Sequence, residues 1–171
     1  MNLNPAHIHM LVNHIPVFGS IFAALLIGWG LLRKSEEVLR LGLVVAVVIG
    51  AATWGVQLTG EPAEHTIIGI QDVQRRLIHA HEEAGERASY VIAAFGVLAL
   101  LTLLLMRRRR GTARALAVVT LLAGLAGFGL VAWAANLGGE IRHPEIRAGF
   151  VPPPPPPRPA GAPRAEGGER D

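Results

Sequence analysis

Seven histidines and no cysteine set the chemistry open to this chain. The histidines are His7, His9, His14, His65, His79, His81 and His143, and the carboxylates of Glu61, Glu64, Glu82, Glu83, Glu86, Glu140 and Glu145 lie near them in sequence. Imidazole with carboxylate is a donor set for zinc, iron or copper(II), whereas copper(I) favours softer sulfur ligands. Without cysteine, thiolate-held iron–sulfur clusters, covalently attached c-type haem and disulfides are excluded, and b-type haem remains open. His7 and His14 fall on one face at helical spacing. His14 is the candidate haem ligand, its second ring nitrogen held by a carbonyl or carboxylate; the alternative is a hydrogen-bonded packing histidine. His79, Glu82 or Glu83, Glu86 and Tyr90 recur every three to four residues as one polar stripe. There His79 with Glu82 or Glu83 is a workable metal pair, and the alternative is a solvated turn with a Glu83–Arg87 helical ion pair. Glu61 and Glu140 each follow a glycine, where helices are expected to end, and would complement a cation or accept a proton. Arg142 and His143 could hold a haem propionate or a quinone oxygen. The candidate cofactor set is thus His14, His79, His81, Arg142 and His143, and the candidate metal set His7, His9, Glu61, Glu83, Glu86 and Glu140.

The elements that position these groups follow from where the charge is absent. Of the 171 residues 51% are hydrophobic and 17% charged, and the net charge is +3. Formal charge is missing throughout 11–32, 41–60, 88–106 and 115–139. A bilayer core of about 30 Å needs about 20 apolar helical residues, so each stretch spans once. A soluble four-helix bundle would need a polar face on every helix, yet the one strongly polar side chain in 115–139 is Asn136. The expected fold is all-α: a four-transmembrane-helix domain over 1–147, with spans about 11–32, 41–60, 88–106 and 115–137, and a proline-rich disordered tail over 148–171. Ala123, Gly124, Gly127 and Gly129 supply small surfaces for close helix packing.

The pattern also reads as a duplicated helical hairpin. Trp54-Gly55-Val56-Gln57-Leu58-Thr59-Gly60-Glu61 aligns with Trp133-Ala134-Ala135-Asn136-Leu137-Gly138-Gly139-Glu140, and His7-Ile8-His9 with His79-Ala80-His81. The pseudo-twofold axis would run along the membrane normal. Arg33, Lys34 and Arg40 crowd one short connection and 107–114 another, which predicts these turns on the cytoplasmic side and both termini outside, in the periplasm of a bacterial inner membrane. Counting about 20 residues outward puts the outer boundary near Val12, Gly60, Glu86 and Ala135. Every histidine then lies near or beyond that boundary, His14 being the deepest. This one-sided distribution points to a site at the pseudo-axis.

The strings His9-Met10-Leu11-Val12-Asn13-His14-Ile15-Pro16, Thr59-Gly60-Glu61-Pro62-Ala63-Glu64, His81-Glu82-Glu83 and Gly138-Gly139-Glu140-Ile141-Arg142-His143 resemble a family of small, uncharacterised bacterial four-helix membrane proteins. More loosely, the chain is similar to the transmembrane domain of unknown function found fused to Rieske or c-type cytochrome domains. There a histidine-phenylalanine-proline string opens the first helix, and here it reads His14-Ile15-Pro16. The resemblance covers about 4–147 and implies a redox neighbourhood with a cytochrome or Rieske partner. The expected function is a non-enzymatic redox subunit that binds b-type haem or exchanges with quinone near the outer face, with His14 as ligand and His79 or His81 opposite. The alternatives are a metal-ion binding or transport accessory for zinc, iron or copper, and a purely structural subunit. Nucleic acid is not an expected partner.

Overall fold

The computed structural model describes residues 3–154. The chain forms α1 (Pro5–Val12), α2 (His14–Arg33), α3 (Glu36–Ile67), α4 (Arg75–Met106) and α5 (Arg110–Arg142), then a short 3₁₀ turn at Pro144–Ile146. Helices α1 and α2 together, α3, α4 and α5 are the four segments long and apolar enough to cross a membrane. They pack in a ring, α2 on α3, α3 on α4, α4 on α5 and α5 back on α2, while α1 lies against α3. The tail expected to be disordered falls largely in 155–171, outside the described residues.

The distribution of side-chain size explains why this bundle needs lipid. Its interior is built largely from small or slender residues, among them Ala23, Ala46, Ala99 and Ala117, around the larger Ile27, Leu43, Ile92 and Phe95. The bulky apolar groups face outward, with Phe18 at 66% exposure and Leu32 at 78%. In lipid an outward leucine costs nothing, so helix association rests on close contact and hydrogen bonds. Gly50 of α3 and Gly96 of α4 provide such a contact: a Cβ on Gly50 would stand 2.9 Å from the Gly96 Cα. The buried hydroxyls of Ser20, Thr53, Thr102 and Thr120 each donate to a carbonyl of their own helix. The Thr102 and Thr120 oxygens lie 3.1 Å apart across α4 and α5, so either hydroxyl can turn from its own carbonyl to donate to the other. Gly124 and Gly127 receive Phe95 and Ile92 of α4, whereas Gly129 meets nothing.

Three boundaries differ from the sequence expectation. The first span, expected to run over 11–32, breaks at Asn13, just ahead of His14. Pro16 cannot donate to the Val12 carbonyl, and its ring crowds the preceding turn, so the distortion falls on the N-terminal side of the proline. Helix α3 runs through Pro62 to Ile67, and α5 runs through Gly138 and Gly139 to Arg142. Glu61 and Glu140 therefore stand inside helices rather than at their ends. An apolar cluster of Leu77, Ile78 and Ile141, joined by Ile67, Ile68 and Val73, covers this end of the bundle and holds the extensions together. Helix α4 begins at Arg75, so its first turns stand about 20 Å beyond the start of its charge-free stretch.

Candidate functional site

His9 of α1 and His81 of α4 meet edge to face at the histidine-bearing end of the bundle. Their ring centroids are 6.3 Å apart and their planes inclined at 78°. Each ring is fixed by a helix of the bundle: His9 Nδ1 lies 2.8 Å from Thr59 Oγ1 on α3, and His81 Nδ1 lies 2.8 Å from the Ala134 carbonyl oxygen on α5. These contacts define the proton positions. The Thr59 hydroxyl donates to the Val56 carbonyl at 2.6 Å, so its oxygen accepts from His9 Nδ1–H. A carbonyl can only accept, so His81 Nδ1 also carries a hydrogen. In their neutral forms both rings then present Nε2 as a lone pair.

The two halves of the site differ in one informative way. Thr59 and Gly138 occupy the same register in the aligned Trp-to-Glu strings. A Cβ at Gly138 would stand 2.9 Å from His81 Cε1, so the glycine lets the ring lie on the α5 backbone and reach Ala134. Where α3 has a hydroxyl to receive the ring, α5 has an absence of side chain.

His14, expected as the central ligand, lies elsewhere. Its Nδ1 lies 2.8 Å from the Met10 carbonyl oxygen, and its exposed ring stacks on Phe18 with centroids 6.2 Å apart. The structure does not bring it to His79 or His81. His7 donates its backbone N–H to the Asn4 cap. On α4 the expected polar stripe is present: His79 Nδ1 to Glu82 at 3.3 Å, Arg87 to Glu83 at 3.2 Å, and the Tyr90 hydroxyl donating to Glu86 at 3.1 Å. An open groove of about 510 Å³ between α3 and α4 is lined by Trp54, Gln57, Glu61, His79, Glu86 and Tyr90, with Glu82 and Glu83 beside them. Glu61 reaches His65 at 3.9 Å on its own helix. Beyond the bilayer level, desolvation raises the Glu82 carboxyl above its usual range, and the neighbouring Glu64 adds to the shift.

The carboxyl end of α5 is held by a separate set of contacts. Asn136 donates to the Glu140 carboxylate at 3.0 Å, and Arg142 donates to the Gln71 carbonyl at 3.4 Å. His143 pairs with Glu145 at 2.9 Å, a hydrogen bond that holds the Glu145 carboxyl below its ordinary range. Arg147, which the sequence did not mark, turns back to donate to the carbonyls of Glu140 and Ile141 and so caps the last turn.

Among the described residues no three histidine, aspartate or glutamate side chains gather closely enough to hold an ion by themselves. Of the expected metal residues, Glu61, Glu83 and Glu86 share the groove between α3 and α4, while His7, His9 and Glu140 make separate contacts. His9 and His81 meet ring to ring across elements. Thr59 and Gly138, which seat these rings, were not picked out as site residues, although their shared register in the repeat marks both positions. No protein-family model matches the chain, and neither a curated protein nor a solved structure matches it significantly.

Proposed function

We propose that this integral membrane protein is a non-enzymatic, redox-associated subunit of a bacterial inner membrane, built from a duplicated hairpin, with its centre at the His9–His81 pair. The observation that carries the reading is the double tautomer lock. Two imidazoles from equivalent turns of the two hairpins each commit Nδ1–H to the bundle and keep Nε2 free, the arrangement that orients histidine for a transition metal. Two imidazoles on one tetrahedral ion, with Zn–N distances of about 2.0–2.1 Å, bring ring centroids to about 5 Å, so the rings, 6.3 Å apart here, would close by about 1 Å on binding it. Remaining coordination positions would be filled by water or by a partner's ligand.

The histidine set read from the sequence leaves b-type haem open, and the packing bears on whether it fits. Near the histidines α3 and α4 are separated by about one side chain: Gln57 Oε1 lies 4.0 Å from where a Cβ on Gly85 would stand. A porphyrin between the rings would require the hairpins to part there, whereas a lone iron, zinc or copper ion requires no such opening. The ion is therefore the better fit. Quinone exchange is a second reading, favoured by the groove between α3 and α4. Trp54 and Tyr90 stand exposed at its walls, and Gln57 and Glu86 supply a donor and an acceptor for quinone or quinol oxygens.

Absorption spectra and elemental analysis of protein purified without chelator, after haem-replete expression, test the centre. The expected result is one metal per chain, lost in His9→Gln and in His81→Gln and kept in His14→Gln. A Soret band that depends on the same pair would establish haem instead of the lone ion. Metal retained in both pair variants, or neither metal nor porphyrin in the unmodified protein, would overturn the proposal.

A further inference from the structure

The opposite end of the bundle carries a second site of different chemistry. The turn between α2 and α3 and the start of α5 enclose a crevice of about 220 Å³, lined by Lys34, Arg110 and Arg114 with the one carboxylate of Glu36, and by Leu39, Met106 and Ala113. The turn is tight because Lys34 takes a left-handed conformation, φ 56°, and its backbone N–H returns to Gly30 and Leu31. Arg114 crosses from α5 to donate to the Leu31 carbonyl at 3.3 Å, tying the two walls together. Arg110 lies 3.6 Å from Glu36, which Arg40 also approaches at 3.8 Å. Lys34 has no ion-pair partner among the described residues. Across the two connections, Arg33, Lys34, Arg40, Arg107, Arg108, Arg109, Arg110 and Arg114 face only Glu36 and Glu37.

That unbalanced positive charge sits where a bilayer places its phosphates. Val118, one helical turn from Arg114 on α5, is 47% exposed, and Met106 closes the apolar run of α4. We propose that the crevice binds the head of an anionic phospholipid. The phosphate is met by Lys34 and Arg110, the glycerol region rests over Leu39 and Met106, and an acyl chain descends along α5 past the exposed Val118. A zwitterionic head would bring its own cation against the same arginines, so the site selects a lipid with net negative charge. The apolar floor separates it from a site for free phosphate, which would gain nothing from Leu39 or Met106.

The test uses the full chain, delipidated in mild detergent and titrated with phosphatidylglycerol or phosphatidylcholine, with bound lipid read by native mass spectrometry and thermal unfolding. One tightly held phosphatidylglycerol is expected, with phosphatidylcholine far weaker. The pair of changes Lys34→Gln and Arg110→Gln should weaken phosphatidylglycerol binding about thirtyfold, as expected for two basic side chains at a lipid surface. Arg107→Gln with Arg108→Gln removes the same charge outside the crevice and should cost less than about threefold, most of that lipid attraction being local. Equal losses in the two double variants would replace the crevice with diffuse attraction. Equal binding of both lipids by the unmodified protein, a comparison independent of variant folding, would also overturn the proposal. So would displacement of phosphatidylglycerol by millimolar inorganic phosphate, which would mark an ordinary anion site.

Discussion

Replacing Gly138 by alanine isolates the feature that lets His81 reach its backbone partner. The added methyl would lie 2.9 Å from His81 Cε1 and 3.1 Å from Nδ1, inside van der Waals contact, so the ring must withdraw from α5. Withdrawal breaks the 2.8 Å bond to Ala134 and leaves the half-buried Nδ1–H unpaired, while the carbonyl keeps its helical bond from Gly138, a cost of about 1–3 kcal/mol. Alanine in place of a helical glycine returns about 1 kcal/mol. Gly60→Ala is the matched control. Its Cβ would meet His9 Cε1 at 3.9 Å, an ordinary contact, and the helical gain should appear undiminished. The two variants should therefore differ by about 1–3 kcal/mol in unfolding free energy, Gly138→Ala being the less stable. Denaturant titration in detergent measures the difference, and nitrogen-15 spectra of labelled histidine report whether one ring has lost its fixed Nδ1–H tautomer. If Gly138→Ala is as stable as Gly60→Ala and both tautomers persist, the seating of His81 described above is wrong.

Enlarging Gly96 to leucine should destabilise the bundle by about 2–4 kcal/mol in thermal or denaturant unfolding, because even a Cβ there lies 3.0 Å from the Gly50 Cα and backbone cannot step aside as a side chain does. Reporter fusions at Gly111 and after Gly161 should report opposite compartments, with Gly111 cytoplasmic; the same compartment for both would refute the even number of crossings between the termini. Glu145 should titrate below an ordinary glutamate in carbon-13 spectra, and His143→Ala should return it toward normal. Because its folded pKa is depressed, the Glu145 contribution to stability is present above the unfolded value and lost as pH falls through the folded one.

The crossings were legible because lipid demands that nearly every side chain over about 20 residues be apolar, a requirement that marks each stretch independently. The ends were less legible because local rules were overridden by tertiary contact. Gly60 and Gly139, ahead of Glu61 and Glu140, read as stops, yet Ile67 and Ile141 join one apolar cluster that holds both extensions in helix. At the site, the sequence brought the histidines to one end and aligned His9 with His81, but favoured His14 for its depth. Depth and direction are separate properties. The break at Asn13 separates the helix carrying His9 from the one carrying His14, and His14 ends against Phe18 on the exposed side. Whether a ring meets a hydroxyl or a carbonyl depends on the neighbouring helix, and that pairing lies beyond any periodicity within one segment.

A bundle with slender residues inside and bulky ones outside reverses where sequence change is tolerated. At Phe18 or Leu32, exchange among leucine, isoleucine, valine and phenylalanine alters what the lipid touches and little else. At Gly50, Gly96, Ala46 and Ala99, growth by a single methylene presses on another helix. Homologous chains should therefore diverge fastest on their most hydrophobic surface and slowest at their smallest residues. A search weighted toward large apolar positions would pass over distant relatives that a search weighted toward the small ones would find.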